Sequence, residues 1–367
     1  MRRIELPGYD LTIGNLDDVG RGLDALLTET PWSRVSVLAD SNTAQDCWPL
    51  VQDMAWPDNT EVLEIPDGED YKTIGTCEGI WEAFLSLGMD RHSLLVNLGG
   101  GVIGDMGGFA ASTFMRGFSF VNLPTSLLAQ VDASVGGKLG VDFQGDEGPV
   151  YKNMIGLFAD PKAVLIAPAF LATLPPEQQR SGFAEVLKHA LIRDAAEWDR
   201  LCQANPPTDE ASWENLIAHS VGIKRDVVAA DRTEQNLRKI LNYGHTIGHA
   251  VESLHLDGDN PLLHGEAIAV GMVAEAWMST KLAGLPAADR DRIREGIRRY
   301  FPAFSIPEAD PAAILEAMGH DKKNEGQAIR LSLLAGIGEA VPAVTLPPDQ
   351  ALDLVAEALA YYTDTPA

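Results

Sequence analysis

Five short apolar runs, RVSVLAD (34–40), EVLEIP (61–66), SLLVNLGGG (93–101), FSFVNLP (118–124) and AVLIAP (163–168), are separated by helical stretches. Runs of β-branched and leucine residues with little polar alternation belong to strands buried on both faces. Strands that alternate with helices pair in parallel, because each crossover returns the chain to the same end of the sheet. The pattern predicts an α/β domain with a mostly parallel, Rossmann-like sheet over residues 1–175.

After LPPEQQ (174–179) the texture changes. The stretches 180–193, 211–230, 234–254, 264–283, 287–299 and 349–361 carry apolar residues at three- and four-residue spacing, with almost no strand signal between them. An all-α domain over 176–367 is expected to follow. A chain of 367 residues suits two domains. Ligands of parallel sheets sit beyond the C-terminal ends of the strands, so the active site is expected in the cleft between the two domains.

Charge narrows the partners. There are 53 Asp and Glu against 28 Lys and Arg, a net charge of -25. Such a surface repels polynucleotide phosphates and anionic lipid, so neither nucleic acid nor membrane is expected as a partner. The N-terminus MRRIELPGYDLTIGN lacks the apolar core of a signal peptide, and no run of about 18 apolar residues occurs. Cys47, Cys77 and Cys202 are odd in number and widely spaced, which fits neither a disulfide framework nor a thiolate metal site. A cytoplasmic location is expected.

Residues 99–104, Gly99-Gly100-Gly101-Val102-Ile103-Gly104, follow the third strand and fit G-x-G-x-x-G. Glycines between a strand and a helix let backbone N–H groups approach a pyrophosphate. The acid usually found about 20 residues later to hold the ribose is missing, but Asp40, followed by Ser41 and Asn42, ends an earlier strand. A tight strand-to-helix turn is the plain alternative. After the fourth strand, Thr125 and Ser126 stand at a helix start, where hydroxyls cap or bind a ligand. Asp132 and Lys138 lie farther along among small residues.

The stretch 234–252 reads EQNLRKILNYGHTIGHAVE. Taken as one helix, it aligns Glu234, Arg238, Asn242, His245, His249 and Glu252 on a single face. A solvated face is the ordinary alternative, but such a face favours Lys, Glu and Arg over Asn, two histidines and neighbouring glycines. His245 and His249 can reach one metal, yet Thr246 replaces the glutamate of H-E-x-x-H. His264 opens the next helix, and SGFAEVLKHALIRD offers Glu185 with Lys188 and His189. A two-His-one-Glu catalytic site is therefore available, although spacing leaves open which two histidines bind. Lys224 interrupts the apolar stripe Ile217, Val221, Val228. A buried lysine needs an anionic partner, here a ligand in preference to the core, unless it snorkels to solvent.

With these motifs in place, the chain resembles the 3-dehydroquinate synthase family of sugar phosphate cyclases. The resemblance runs through DGEDYK (67–72), GGGVIGD (99–105), PTSLLAQVDASVGGK (124–138), KNMIG (152–156), AEVLKHALI (184–192), LNYGHTIGHA (241–250), LLHGEA (262–267) and DKK (321–323). It implies a zinc or cobalt ion held by Glu185, His245 and His264. It implies NAD against Asp40, Asn42, Asp67, Glu69, Lys72, Gly100, Gly101, Val102, Ile103, Gly104, Asp105, Thr125, Ser126, Phe170 and Thr173, with Lys138 and Lys152 adjoining. It implies substrate at Arg116, Asp132, Lys138, Lys152, Asn153, Lys188, Lys224, Arg238, Asn242, His249 and one or both of Lys322 and Lys323.

The reaction implied starts from 3-deoxy-D-arabino-heptulosonate 7-phosphate. A ring alcohol is oxidised by NAD, phosphate is eliminated, the ketone is reduced again, and the opened ring closes by an aldol step. A metal serves such chemistry as Lewis acid and template, while cationic side chains fix the phosphate and carboxylate. A homodimer is implied as well. One departure is VDFQGDEGPVY (141–151), about five residues longer than the family commonly has, with an acidic, turn-rich centre that suits a surface insertion.

The competing readings are a valiolone- or inosose-type cyclase, a metal-dependent polyol dehydrogenase and a non-catalytic NAD-binding regulator. Arg238, Asn242 and His249 favour a carboxylated substrate over the first, and a metal set has no purpose in the last. Seven of the ten lysines, Lys72, Lys138, Lys152, Lys188, Lys224, Lys322 and Lys323, fall in these motifs. The rest of the surface is acidic and lysine-poor, as a high-salt cytoplasm would favour, and the site is expected to be locally positive.

Overall fold

The computed structural model describes residues 1–145, 150–255, 262–302, 310–319 and 328–364. They form two compact units, Met1–Gln179 with Pro207–Arg225, and Arg180–Pro206 with Asp226–Ala367. The chain thus passes between units at 179, 206 and 225, where the sequence suggests one passage near 175. Most of the helix Glu210–Ala230 is counted with the first unit.

The first unit is built on a seven-stranded sheet in the order Arg2–Leu6, Tyr9–Ile13, Ala163–Ile166, Ser119–Pro124, Leu94–Gly99, Val35–Asp40, Glu61–Ile65. All neighbours run parallel except the first pair, an N-terminal hairpin at the edge. The five runs read from sequence supply five of these strands. Alternate residues serve opposite faces, as the pleat requires. Val35, Val37, Leu94, Val96 and Leu98 join the core with Val19 and Leu23 of the helix Leu16–Glu29. Leu38 and Leu95 meet Ile80, Phe84, Met106 and Phe109 on the other side.

The helix Gly101–Thr113 lies close on the sheet. A Cβ at Gly107 would stand 2.0 Å from Asn97 Oδ1, so only glycine admits that approach. The buried amide of Asn97 instead donates to Asn122 Oδ1 at 2.9 Å on the next strand. Beyond the sheet, Lys138–Gln144 and Val150–Phe158 make an antiparallel hairpin with a bulge between Val141 and Phe143. The long segment 141–151 occupies the end of this hairpin, and its residues 146–149 lie outside the described residues.

The second unit is mainly helical. Every residue from Ser181 to Ile192 in the helix Pro176–Arg193 is buried, as is every residue from Gly265 to Ser279 in His264–Leu282. Helices enclosed on all sides carry charges only where those charges are paired. One antiparallel hairpin, Arg330–Gly336 with Glu339–Thr345, departs from the all-α expectation. Its first strand, RLSLLAG, is apolar on both faces, so a two-residue alternation is hidden.

The expectation of one helix over 234–254 is overturned. Leu237–Asn242 forms a 3-10 turn, and the α-helix begins only at His245 and runs to His255. Gly244, with φ of 81°, breaks the two apart. The neighbouring helix demands that break, because a Cβ on Gly271 would meet Gly244 O at 1.9 Å. Arg238 and Asn242 therefore share no helical face with His245 and His249. Among the described residues no helix is long and apolar enough to cross a membrane.

Candidate active site

In the first unit the strand ends bring together much of what the sequence singled out. Asp40 caps the helix Ser41–Asp46, accepting from Thr43 N at 2.8 Å. Burial pushes its carboxyl up, and the nearby charge of Asp67 adds to the shift. Gly99 leads directly into the helix Gly101–Thr113, whose first amides have no acceptor within the helix. Thr125 N donates to Gly99 O at 3.0 Å, joining the two glycine- and hydroxyl-bearing turns. Ser126 Oγ accepts from Ala129 N at 3.3 Å and so acts as a cap. Ile103 and Phe170 are enclosed in the core, while Asn42 and Thr173 are exposed.

Lys72 is the centre of a charged knot. Its Nζ donates to Asp105 Oδ2 at 2.6 Å and to Asn153 Oδ1 at 2.7 Å. Burial alone would pull this ammonium down, but Asp105 and Glu69 outweigh it and hold it above its usual range. The Asp105 carboxyl is pushed up by burial, opposed by Lys72. Lys152 Nζ stands 3.7 Å from Glu69 Oε1.

Asn153 takes a left-handed φ of 50° and donates its backbone N–H to Asp142 Oδ1 at 2.6 Å. Thus the longer hairpin still pins Lys152 and Asn153 beside Lys72. Asp142 was not singled out by sequence. Its signal is an acid at a buried strand position in KLGVDF.

Lys224, 5% exposed, donates to Asp132 at both carboxylate and backbone carbonyl. The anionic partner that a buried lysine requires is thus a side chain of the protein itself. Asp132 sits on a single π-turn, Ala129–Ala133, a distortion frequent at functional sites. Lys138 is exposed at the start of its strand. Arg116 is exposed before the N-terminal end of Ser119–Pro124, a strand that spans about 20 Å and leads to Thr125 at its other end. Arg116 sits between Met115 and Gly117 in a turn where all three have positive φ. Lys322 and Lys323 lie outside the described residues.

The second unit gathers Glu185, His245 and His264, whose ligand atoms lie within 4.8 Å of one another. His245 Nε2 is 3.4 Å and His264 Nε2 3.8 Å from Glu185 Oε1. Both rings are anchored through the other nitrogen, His245 Nδ1 at 3.1 Å from Tyr243 O and His264 Nδ1 at 3.5 Å from Glu252 Oε2. Where Nδ1 donates to such an acceptor, Nε2 is the nitrogen available to a metal, the arrangement that metal-binding histidines use. His249 stacks close by, its ring centroid 5.2 Å from that of His245. Lys188 pairs with Glu185 Oε2.

A residue that sequence reading missed holds this turn in place. Glu275, fully buried, accepts from Gly244 N at 2.7 Å and from Thr246 N and Ile247 N at 3.1 Å. Its signal is a lone acid in the apolar run AIAVGMVAEAWM.

A divalent cation fits here. Two buried carboxylates, Glu185 and Glu252, lie against the imidazoles of His245 and His264, a hard-oxygen and imidazole donor set that suits such an ion, and Lys188 pairs with Glu185. Burial would pull the His264 imidazolium down, yet hydrogen bonds to Glu185 and Glu252 push it up to about 10.

Arg238, 1% exposed, donates from Nη1 to Arg232 O at 2.5 Å, and Asn242 Nδ2 donates to Glu234 Oε1 at 2.8 Å. The 3-10 turn that carries both is fastened by Asp231, which accepts from the backbone N–H groups of Gln235, Asn236 and Arg238.

Comparison with known proteins places this arrangement. The 2-epi-5-epi-valiolone synthase of Streptomyces hygroscopicus subsp. jinggangensis, solved with NAD+ and Zn2+, superposes with a TM-score of 0.80 at 25% identity, covering 98% of this chain and 99% of that one. A 2-deoxy-scyllo-inosose synthase complexed with carbaglucose-6-phosphate, NAD+ and Co2+ gives 0.79 at 23% identity over 97% and 99%. In sequence, the 3-dehydroquinate synthase of Parabacteroides distasonis is 41% identical over 323 residues, 88% of this chain and 90% of its relative. The family model described as 3-dehydroquinate synthase N-terminal matches residues 62–181, and 3-dehydroquinate synthase C-terminal matches 182–324. Sheet, metal-type centre and sequence agree, and the chain belongs to the 3-dehydroquinate synthase family.

Proposed function

We propose that the protein is a 3-dehydroquinate synthase, a lyase that converts 3-deoxy-D-arabino-heptulosonate 7-phosphate to 3-dehydroquinate and phosphate in the shikimate pathway. The observation that carries this reading is the convergence of Glu185 with His245 and His264, each ring anchored through Nδ1. When bound, NAD accepts and returns a hydride, and a zinc or cobalt ion polarises the alcohol oxygen that is oxidised.

The residues of the chain divide the remaining work. Glu185, His245 and His264 hold the ion. Asp40 accepts from ribose hydroxyls, while Gly100, Gly101 and Val102 offer backbone N–H groups to the pyrophosphate. Lys72 keeps Asp105 and Asn153 fixed beside Lys152. To the phosphate and carboxylate of the substrate we assign Lys138, Lys152, Asn153, Lys188, Lys224, Arg238, Asn242 and His249. Lys224, held by Asp132, brings a preorganised positive charge to the charge that develops before elimination. We take the enzyme to be a cytoplasmic homodimer, and the net charge of -25 supports the part of this reading that excludes nucleic-acid and anionic-membrane partners.

Release of inorganic phosphate tests the assignment. The heptulosonate phosphate, with NAD and Zn2+ or Co2+, is compared with a seven-carbon ketose phosphate and a hexose phosphate that lack the carboxylate. Release from the carboxylated substrate alone is expected. Release only from an uncarboxylated one would reassign the chain to a valiolone- or inosose-type reaction.

A further inference from the structure

We infer that Glu252 is a positioning residue of the metal centre, fixing the tautomer of His264 and setting how tightly the cation is held. This rests on the assignment of Glu185, His245 and His264 as the metal ligands.

The two ligand histidines are anchored by unlike acceptors. His245 Nδ1 faces a backbone carbonyl, that of Tyr243, inside the turn clamped by Glu275. No side-chain substitution removes that acceptor. His264 opens its helix, and the residue before it, Leu263, is extended with ψ of 150°. The acceptor facing His264 Nδ1 is the carboxylate of Glu252, at 3.5 Å. Glu252 is 4% exposed and lies three residues after His249 and seven after His245, on the same face of the helix His245–His255. A carboxylate buried this deeply needs donors.

Acceptance from Nδ1–H leaves Nε2 of His264 as the nitrogen that would ligate the cation, and the negative charge behind the ring makes that ligand more basic. Partners of this kind change metal affinity by about 10- to 100-fold. His249, Glu252 and His264 also place their ligand atoms within 4.8 Å of one another. A second cation there is the competing use of the same carboxylate.

The test is a metal titration of the full chain, first freed of divalent ions, against a competing chelator. Wild type, Glu252→Gln and Glu252→Ala are compared for Zn2+ and Co2+ affinity, metal stoichiometry, the visible spectrum of the Co2+ form and thermal unfolding without metal. Glutamine keeps a neutral acceptor, so about a 10-fold loss of affinity is expected; alanine removes it, and about a 100-fold loss is expected.

The Co2+ spectrum should shift in the alanine variant, with one ion per chain throughout and little change in metal-free unfolding. If the alanine variant does not fold, the glutamine variant decides. Unchanged affinity and spectrum would overturn the inference. So would a loss of affinity matched by an equal loss of metal-free stability, or two ions in wild type and one in the variants. Failure of wild type itself to bind a divalent ion would instead overturn the metal assignment beneath it.

Discussion

Lys224 reaches Asp132 twice, donating from Nζ to its carboxylate at 2.8 Å and to its backbone carbonyl at 2.6 Å. The lysine is buried and the aspartate partly open, so breaking the pair leaves the lysine worse off. Asp132→Asn, which strands the buried lysine, should lower stability by about 3 kcal/mol, Lys224→Met by less, and the double variant by clearly less than their sum. Urea unfolding of the three variants measures this, and strict additivity would show the contact to be idle.

Glu275 holds the turn that carries His245 through three backbone N–H groups. Glutamine at this position keeps one acceptor oxygen but turns an NH2 toward amides that also donate. Glu275→Gln should cost about 3 kcal/mol in urea unfolding. A loss under about 0.5 kcal/mol, within the range of ordinary surface substitutions, would contradict the clamp.

On the proposed assignment, Asp40 sets stability against cofactor binding. Its raised carboxyl binds a proton more tightly in the folded chain than in the unfolded one, where about 3.9 is usual. Its stabilising contribution is therefore present below that value and lost as pH rises through the raised one. Asp40→Asn, which still caps its helix, should leave the protein equally or slightly more stable at pH 7, with the gain vanishing near pH 4. NAD affinity at pH 7 should fall about 10-fold through loss of the charged ribose acceptor. Calorimetric titration with NAD beside pH-dependent unfolding checks both signs.

A net charge of -25 repels itself at low ionic strength. Raising KCl from about 0.1 M to about 2 M shortens the Debye length from about 10 Å to under 3 Å and should raise the melting temperature. Full stability in dilute buffer with no gain from salt would contradict a surface suited to high salt.

What could be read in advance follows from which interactions are local. The central strands were legible because burial on both faces leaves uninterrupted runs such as SLLVNLG. The hairpins Arg2–Ile13, Lys138–Phe158 and Arg330–Thr345 were not, since edge and two-stranded ribbons depend on pairing that a single run does not carry.

Spacing offers Glu185 and the histidines His245, His249 and His264 as candidate ligands, because each sits at or inside a helix of strong apolar pattern, and only the family resemblance selects His245 and His264 among the histidines. The residues that support it join distant positions, Glu275 to Gly244 and Glu252 to His264. The break at Gly244 was missed for the same reason, since what requires it is the close approach of Gly271 on another helix.

The most direct test of the central claim follows phosphate release and absorbance at 340 nm together, over many turnovers with NAD below the enzyme's substrate concentration. Sustained phosphate release from 3-deoxy-D-arabino-heptulosonate 7-phosphate, with no net NADH and full loss on chelation, is the predicted result. NADH accumulating in step with substrate loss, or no phosphate released with metal and NAD present, would contradict it.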